Sequence, residues 1–345
     1  MSYRADAMSF GLIGCGDIGQ LRARAVAKAS HRLTAVSDVD GRKMAQAARH
    51  GAAQFADWRE MVERLDVDAV IVSTPPILHA ELTVGALHAG KHVLCEKPLA
   101  RDPAECHKML DAATETGRVL ATGFNYRFYP SFRLAREWLH AGRIGDLSHI
   151  RSYGGYSVHD QPKVYEAEVV GGGALHDIGI HLMDLTRWFL GEVESVQGLA
   201  TGSVWNLPGC EDNAFVLLRG AAGRVATLHA SWTEWGRYQF MIELVGRSGR
   251  IRASCFPMFV ELLSSDRPGG QVTRTVERFP LVFLGEHLRS YRWVVVKSFV
   301  QELDAFARLV RGEASDIATG PDGARAVEIA YSVSHAEAAA RDAER

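Results

Sequence analysis

The sequence predicts an α/β protein in two parts, a doubly wound parallel sheet followed by a second domain built on a large, mostly antiparallel sheet. Three observations carry this. Between Phe10 and Thr122 short apolar runs alternate with helical patterns, the rhythm of a parallel sheet covered on both faces. The first run ends in Gly14-Cys15-Gly16-Asp17-Ile18-Gly19 and leads straight into a helical segment. From about Leu147 the rhythm changes to strand-like stretches joined by glycine-bearing turns.

Length and composition narrow the choices. At 345 residues the chain exceeds one ordinary core, so two domains are expected, 1–124 and 125–345, with the closing helices free to pack back on the first. The composition, 47% apolar and 23% charged, is that of a globular protein. A net charge of −2 without a long basic run recommends neither nucleic acid nor an anionic membrane as partner. No apolar stretch approaches the ~18 residues that cross a bilayer. The polar leader Met1 to Met8 lacks the apolar segment of a signal peptide. Five scattered cysteines without a C-x-x-C pair argue against a disulfide or zinc framework and for a reducing cytoplasm.

In the first half, residues 10–13 form a strand, the glycine loop follows, and residues 20–29 read as a helix. A second run, 33–37, ends at Asp38, nineteen residues after Gly19. This is the dinucleotide-binding arrangement: Gly14 permits a tight turn, Gly16 lets the backbone approach a pyrophosphate, and Gly19 lets the helix pack closely on the strand. The loop from Gly14 through Gly16, Asp17, Ile18 and Gly19 then offers free N–H groups at a helix start to phosphate. A carboxylate at Asp38 accepts from the ribose hydroxyls of NAD and repels the 2′-phosphate of NADP, so NAD is the expected cofactor.

Residues 41–50 and 57–62 read as helices, the second capped by Asp57. Residues 68–73 read as a strand buried on both faces, stopped by Thr74-Pro75-Pro76. A helix (78–89), a strand (92–95) running into Glu96-Lys97-Pro98, a helix (103–116) and a strand (118–122) bring the chain to Asn125-Tyr126-Arg127. Polar residues thus gather at the carboxyl ends of successive strands, where such sheets bind their ligands.

In the second half, residues 148–156 read as a strand. Gly171-Gly172-Gly173 reads as a flexible approach to a helix that carries Asp177 and His181 four apart, on one face, with Asp184 close by. Leu182, Leu185, Trp188 and Phe189 form its buried side. Strands are expected at 193–200, 213–219, 225–232, 238–245 and 259–263, while 264–289 carries no legible pattern. Phe299, Leu303, Phe306 and Val310 mark a helix over 290–311, and 322–343 forms a closing one.

Oxidising a carbinol with NAD removes a hydride from carbon and a proton from oxygen, so the protein must supply a proton acceptor. Lys97, at a strand's carboxyl end, is placed to polarise the substrate hydroxyl. His181 brings an imidazole, which ordinarily titrates near 6.5 and suits a general base. Asp177, one turn earlier, would orient that ring or stabilise its protonated form. Each has a plain alternative, a solvated Lys-Pro turn and a surface Asp–His pair; their coincidence with a dinucleotide site favours chemistry. Zinc held by His176, His181 and Asp184 is disfavoured, because helix residues five apart point in different directions, and no metal is expected.

The loop Gly14-x-Gly16-x-x-Gly19, Asp38, Thr74-Pro75-x-x-x-His79, Glu96-Lys97-Pro98, Asn125-Tyr126-Arg127-Phe128 and Asp177-x-x-x-His181, taken in this order, resemble the glucose–fructose oxidoreductase and inositol dehydrogenase (Gfo/Idh/MocA) family over nearly the whole chain. The resemblance implies a Rossmann domain followed by an α+β domain whose open sheet forms the interface of a homodimer or homotetramer. It implies oxidation or reduction of a hydroxyl of a sugar or cyclitol, with Lys97, Asp177 and His181 as the catalytic set and Thr74, Pro75, His79 and Glu96 lining the cofactor. Tyr126 and Arg127, then Tyr153 and His159, are the implied substrate contacts. His176, where an apolar residue is more usual, reaches the substrate pocket or packs. The rival readings are an NAD-dependent glycosidase that oxidises its sugar transiently, and a non-catalytic NAD-binding regulator.

Overall fold

The structure, a computed structural model, describes residues 7–49, 51–158, 166–267, 270–280, 282 and 292–343, with side chains to 335. The chain divides into two compact units, Met1–Phe128 with Arg289–Val327, and Tyr129–Leu288 with Glu328–Arg345.

The first unit is built on a six-stranded sheet, ordered β3-β2-β1-β4-β5-β6 and parallel throughout. Its strands are β1 (Ser9–Ile13), β2 (Arg32–Ser37), β3 (Ala53–Phe55), β4 (Ala69–Val72), β5 (His92–Cys95) and β6 (Leu120–Thr122). Every residue of β1 and β4 is buried, as continuous apolar runs between two helical layers require. The helices between them are α1 (Asp17–Lys28), α2 (Gly41–Ala47), α3 (Trp58–Val62), α4 (His79–His88) and α5 (Pro103–Thr116). Asp57 caps α3 by accepting from Arg59 N–H, and Asp102 caps α5 by accepting from Glu105 N–H at 2.9 Å. The three-residue edge strand β3 is too short to leave a period in the sequence. The order in which the chain lays down strands reverses between β1 and β4, the position at which doubly wound sheets open a crevice for ligands.

The second unit is built on an eight-stranded sheet, ordered β14-β13-β12-β11-β7-β10-β9-β8. The strands are β7 (Leu147–Gly155), β8 (Val193–Thr201), β9 (Asn213–Gly220), β10 (Val225–Ser231), β11 (Gln239–Gly246), β12 (Gly249–Cys255), β13 (Met258–Ser264) and β14 (Thr273–Arg278). Among the described residues neighbouring strands pair antiparallel except β7 with β10. Alternation decides the faces: Ala214, Val216 and Leu218 of β9 are buried under helix, whereas Phe215 and Leu217 between them are 49% and 45% exposed. Helices α6 (Pro130–His140), α7 (Ala167–Val170) and α8 (Ile180–Leu190) belong to this unit. Helix α6 and strands β12 and β14 have no counterpart in the sequence reading, the last because three of its six residues, Arg274, Glu277 and Arg278, are charged and only Val276 is apolar.

Two helices close the chain, α9 (Arg292–Val310) and α10 (Gly320–Ala343). Phe299, Leu303 and Phe306 of α9, spaced as the sequence shows, join Phe10, Leu12 and Leu21 in the core of the first unit. Each such side chain contributes roughly 1.5–3 kcal/mol on burial. The first unit's core therefore draws on residues nearly three hundred positions from its first strand. Among the described residues no helix is long and apolar enough to cross a membrane.

Candidate active site

The nucleotide loop sits between β1 and α1. Gly14 has φ +90°, and a Cβ there would lie 2.5 Å from Ser73 O; a Cβ on Gly19 would lie 2.1 Å from Gly14 O. Glycine is demanded at both by backbone packing. A Cβ on Gly16 would meet nothing within 4 Å, so that position faces open space at the amino end of α1, where no side chain caps the first turn. Asp38 directly follows β2, its carboxylate accepting from Cys15 N–H at 2.5 Å and Asp40 N–H at 2.7 Å. The Cys15 thiol is pushed up to about 12 by burial, with Asp38 adding, and stays protonated. Among the described residues the buried hydroxyls of Ser73 and Thr74, at the end of β4, have no hydrogen-bond partner. Open backbone donors, a carboxylate one strand away and orphan hydroxyls fit a dinucleotide.

Beyond β5, Glu96 and Lys97 rest on a buried ionic cluster. Arg22 of α1 is fully buried and pairs with Glu96 at 2.6 Å and with the equally buried Glu302 of α9, while the Phe299 ring covers it at 3.6 Å. Burial works against the charge on Arg22, but Glu302 and Glu96 outweigh that and leave its pKa raised. The helix of the glycine loop is thereby tied to the strand end carrying Lys97.

In the second unit the stretch after the glycines is irregular. Leu175–Gly179 forms a π turn that runs into α8, and Asp177 alone of its five residues is not buried. Such turns recur at functional sites because they re-aim side chains within a helix. Asp177 Oδ2 accepts from the Tyr156 hydroxyl and from Trp232 Nε1 at 3.1 Å. His181 follows in the first turn of α8, 8% exposed. The start of the turn is held by Glu211, whose buried carboxylate accepts from Gly173 N–H at 2.9 Å and Leu175 N–H at 2.8 Å. Burial raises the pKa of Glu211 despite these donors.

With this geometry in hand, two family models match the chain. "Oxidoreductase family, NAD-binding Rossmann fold" covers residues 8–124, and "GFO/IDH/MocA C-terminal domain" covers 132–252. The myo-inositol 2-dehydrogenase of Thermotoga maritima is 31% identical over 94% of this chain and 94% of its own length. The chain belongs to the Gfo/Idh/MocA family of oxidoreductases. The levoglucosan dehydrogenase of Pseudarthrobacter phenanthrenivorans is 29% identical over 71% of this chain and 73% of its own. Among solved structures, GenD2 from gentamicin A biosynthesis in complex with NAD superposes with a TM-score of 0.81 at 26% identity, covering 98% of this chain and 96% of that one. A levoglucosan dehydrogenase complex with NADH reaches 0.84 at 24% identity, covering 96% and 97%, and shares the fold. The amino-terminal unit is thus an NAD-binding Rossmann domain.

The other residues expected at the site have the following surroundings in the structure. Tyr153 is corrected: Ile150, Ser152 and Gly154 of β7 face the helices, so Tyr153 points to the opposite face, where its hydroxyl donates to Glu234 at 2.6 Å and its ring meets His229. His79, expected beside the cofactor, clamps two backbone segments. It is fully buried, with ring nitrogens 2.9 Å from Thr74 O and 2.9 Å from Pro98 O, and burial lowers its pKa. Arg127 is buried against Asp316 O and Asp322, each at 3.5 Å, while Tyr126 beside it stays half-buried. His176 packs: it is 1% exposed, with its ring nearest Gly172 and no hydrogen-bond partner for either nitrogen among the described residues. Pro75 is exposed at the turn after β4. His159 lies outside the described residues. The triple glycine is not a flexible approach, since a Cβ on Gly173 would lie 1.9 Å from Glu211 O. Tyr156, Trp232 and Glu211 went unread; only strand parity, with 150, 152, 154 and 156 on one face, pointed to Tyr156.

Proposed function

We propose that this oxidoreductase is an NAD-dependent dehydrogenase acting on a secondary hydroxyl of a sugar, sugar derivative or cyclitol. The observation that carries the reading is Asp177, the accessible residue of a buried π turn, standing just ahead of His181. In this reading His181 takes the hydroxyl proton, Asp177 orients the imidazole or stabilises its charged form, and Lys97 polarises the oxygen. NAD, when bound, supplies the hydride acceptor. The loop from Gly14 to Gly19, Asp38 and the Ser73–Thr74 hydroxyls hold it. Relatives named for inositol and levoglucosan support a polyhydroxylated ring as substrate. The partly exposed Phe215 and Leu217 support a homodimer or homotetramer through the open face of the second sheet, and five buried free cysteines support a reducing compartment.

Lys97→Ala should leave NAD binding nearly intact and lower turnover on the order of a hundredfold or more. Undiminished turnover would remove Lys97 from the mechanism. An absorbance screen for NADH across sugars and polyols identifies the substrate, and accumulation of NADH separates a dehydrogenase from a glycosidase that returns the hydride.

A further inference from the structure

Asp177 is held from outside its own helix. An aspartate's terminal torsion is soft and roughly two-fold, so the rotamer by itself does not decide which oxygen faces a substrate. Here two donors converge on one oxygen, Oδ2: the Tyr156 hydroxyl and Trp232 Nε1 at 3.1 Å. Each directly follows a strand of the second unit's sheet, Tyr156 after β7 and Trp232 after β10, and both are fixed at their other end. Trp232 is fully buried; its N–H donates to Asp212 O at 2.8 Å and its carbonyl accepts from Trp205 Nε1 at 2.9 Å. Tyr156 N–H donates to Ser231 O at 3.0 Å, and its ring stacks on Tyr238 at 6.0 Å, which in turn meets Phe256 edge-on at 5.6 Å. A carboxylate on an irregular turn is thus referenced to a rigid sheet through two neutral donors.

We propose that Tyr156 and Trp232 are positioning residues, which fix the plane of the Asp177 carboxylate by its Oδ2 and so set the geometry of the acid–base pair. The role rests on reading Asp177 as part of the catalytic set. Neither residue exchanges a proton with substrate. Their effect reaches turnover only through Asp177, and this makes the effect non-additive with loss of the carboxylate.

The test is a double-mutant cycle read with the sugar or polyol that reduces NAD fastest in the screen. Tyr156→Phe keeps the ring and its stacking and removes only the hydroxyl. It should lower kcat about tenfold with the KM for NAD unchanged, whereas in an Asp177→Asn background the same change should cost less than about twofold. An equal loss in both backgrounds, or no loss in either, overturns the positioning role. A fully active Asp177→Asn, or a screen with no NADH-producing member, overturns the catalytic reading and this role together. A crippled Asp177→Asn beside an unimpaired Tyr156→Phe overturns the positioning role alone. A second measurement needs no turnover: the indole N–H resonance that disappears in Trp232→Phe should exchange slowly with solvent and move on Asp177→Asn. A resonance indifferent to that substitution also overturns the role.

Discussion

Glu96 and Asp177 are both carboxylates close in sequence to a residue proposed for hydroxyl or proton chemistry, and the structure surrounds them differently. Glu96 leaves a regular strand and meets a charge: Arg22, fully buried, shared with Glu302 and covered by Phe299. Asp177 sits in a π turn and, among the described residues, accepts from a phenol and an indole, both neutral. A buried guanidinium has given up its hydration and regains it only from its partners, so the cluster tolerates no missing member. A neutral donor removed from a half-buried carboxylate costs an orientation, because water can replace it. The contrast predicts that loss of the first carboxylate's partner is felt in folding and loss of the second's in turnover.

The contrast breaks most readily at Arg22. Arg22→Met should destabilise the protein by about 3–5 kcal/mol, measured by denaturant unfolding, since it strands Glu302 and Glu96. Adding Glu302→Leu should recover part of that loss. If Arg22→Met instead kept its stability and lost only turnover, Glu96 would be held for aim as Asp177 is, and the comparison would fail.

An effect of about 3 kcal/mol is expected from His176, which sits beside Asp177 and is pushed down to about 4 by burial, with His335 adding. The unfolded chain binds a proton here near pH 6.5 and the folded one does not. This contribution is therefore fully present above about pH 6.5 and is lost as the pH falls toward 4. Unfolding followed across that window should show the slope, and His176→Leu should flatten it. That outcome would make the turn holding Asp177 the acid-sensitive element of its unit.

The smallest of these effects concerns a third carboxylate, held by backbone alone. Asp38 takes N–H groups from Cys15 and Asp40, so Asp38→Ala should cost about 1 kcal/mol of stability while NAD affinity falls by roughly tenfold or more and NADP affinity is spared. Titration with both dinucleotides checks it, and a wild-type preference for NADP would end the assignment of Asp38 to the ribose.

The first unit was the more legible. Its strands are buried on both faces and read as unbroken apolar runs, and caps such as Asp57 and the glycine of the loop announce themselves by type. The second unit was legible where alternation was clean, as in β9, and opaque in β14, whose charged residues give no apolar period. Tyr153 and Tyr156 show why the site was harder still. They lie three apart on one strand path, and which of them faces the helices depends on a parity that only the packed sheet reveals.

By itself the sequence determined the two kinds of sheet, the nucleotide loop and the strand end at Lys97, because these depend on local geometry: what glycine permits, what proline forbids, and which face of a run can be buried. Tertiary structure decided the rest. It brought Glu302 of α9 to Arg22, made a π turn of the segment that reads as ordinary helix, buried His79 and His176, and set Tyr156 and Trp232 to donate to Asp177. Those outcomes depend on partners far apart in the chain, and no local period records which distant side chain will satisfy a buried charge or complete a carboxylate's hydrogen bonds.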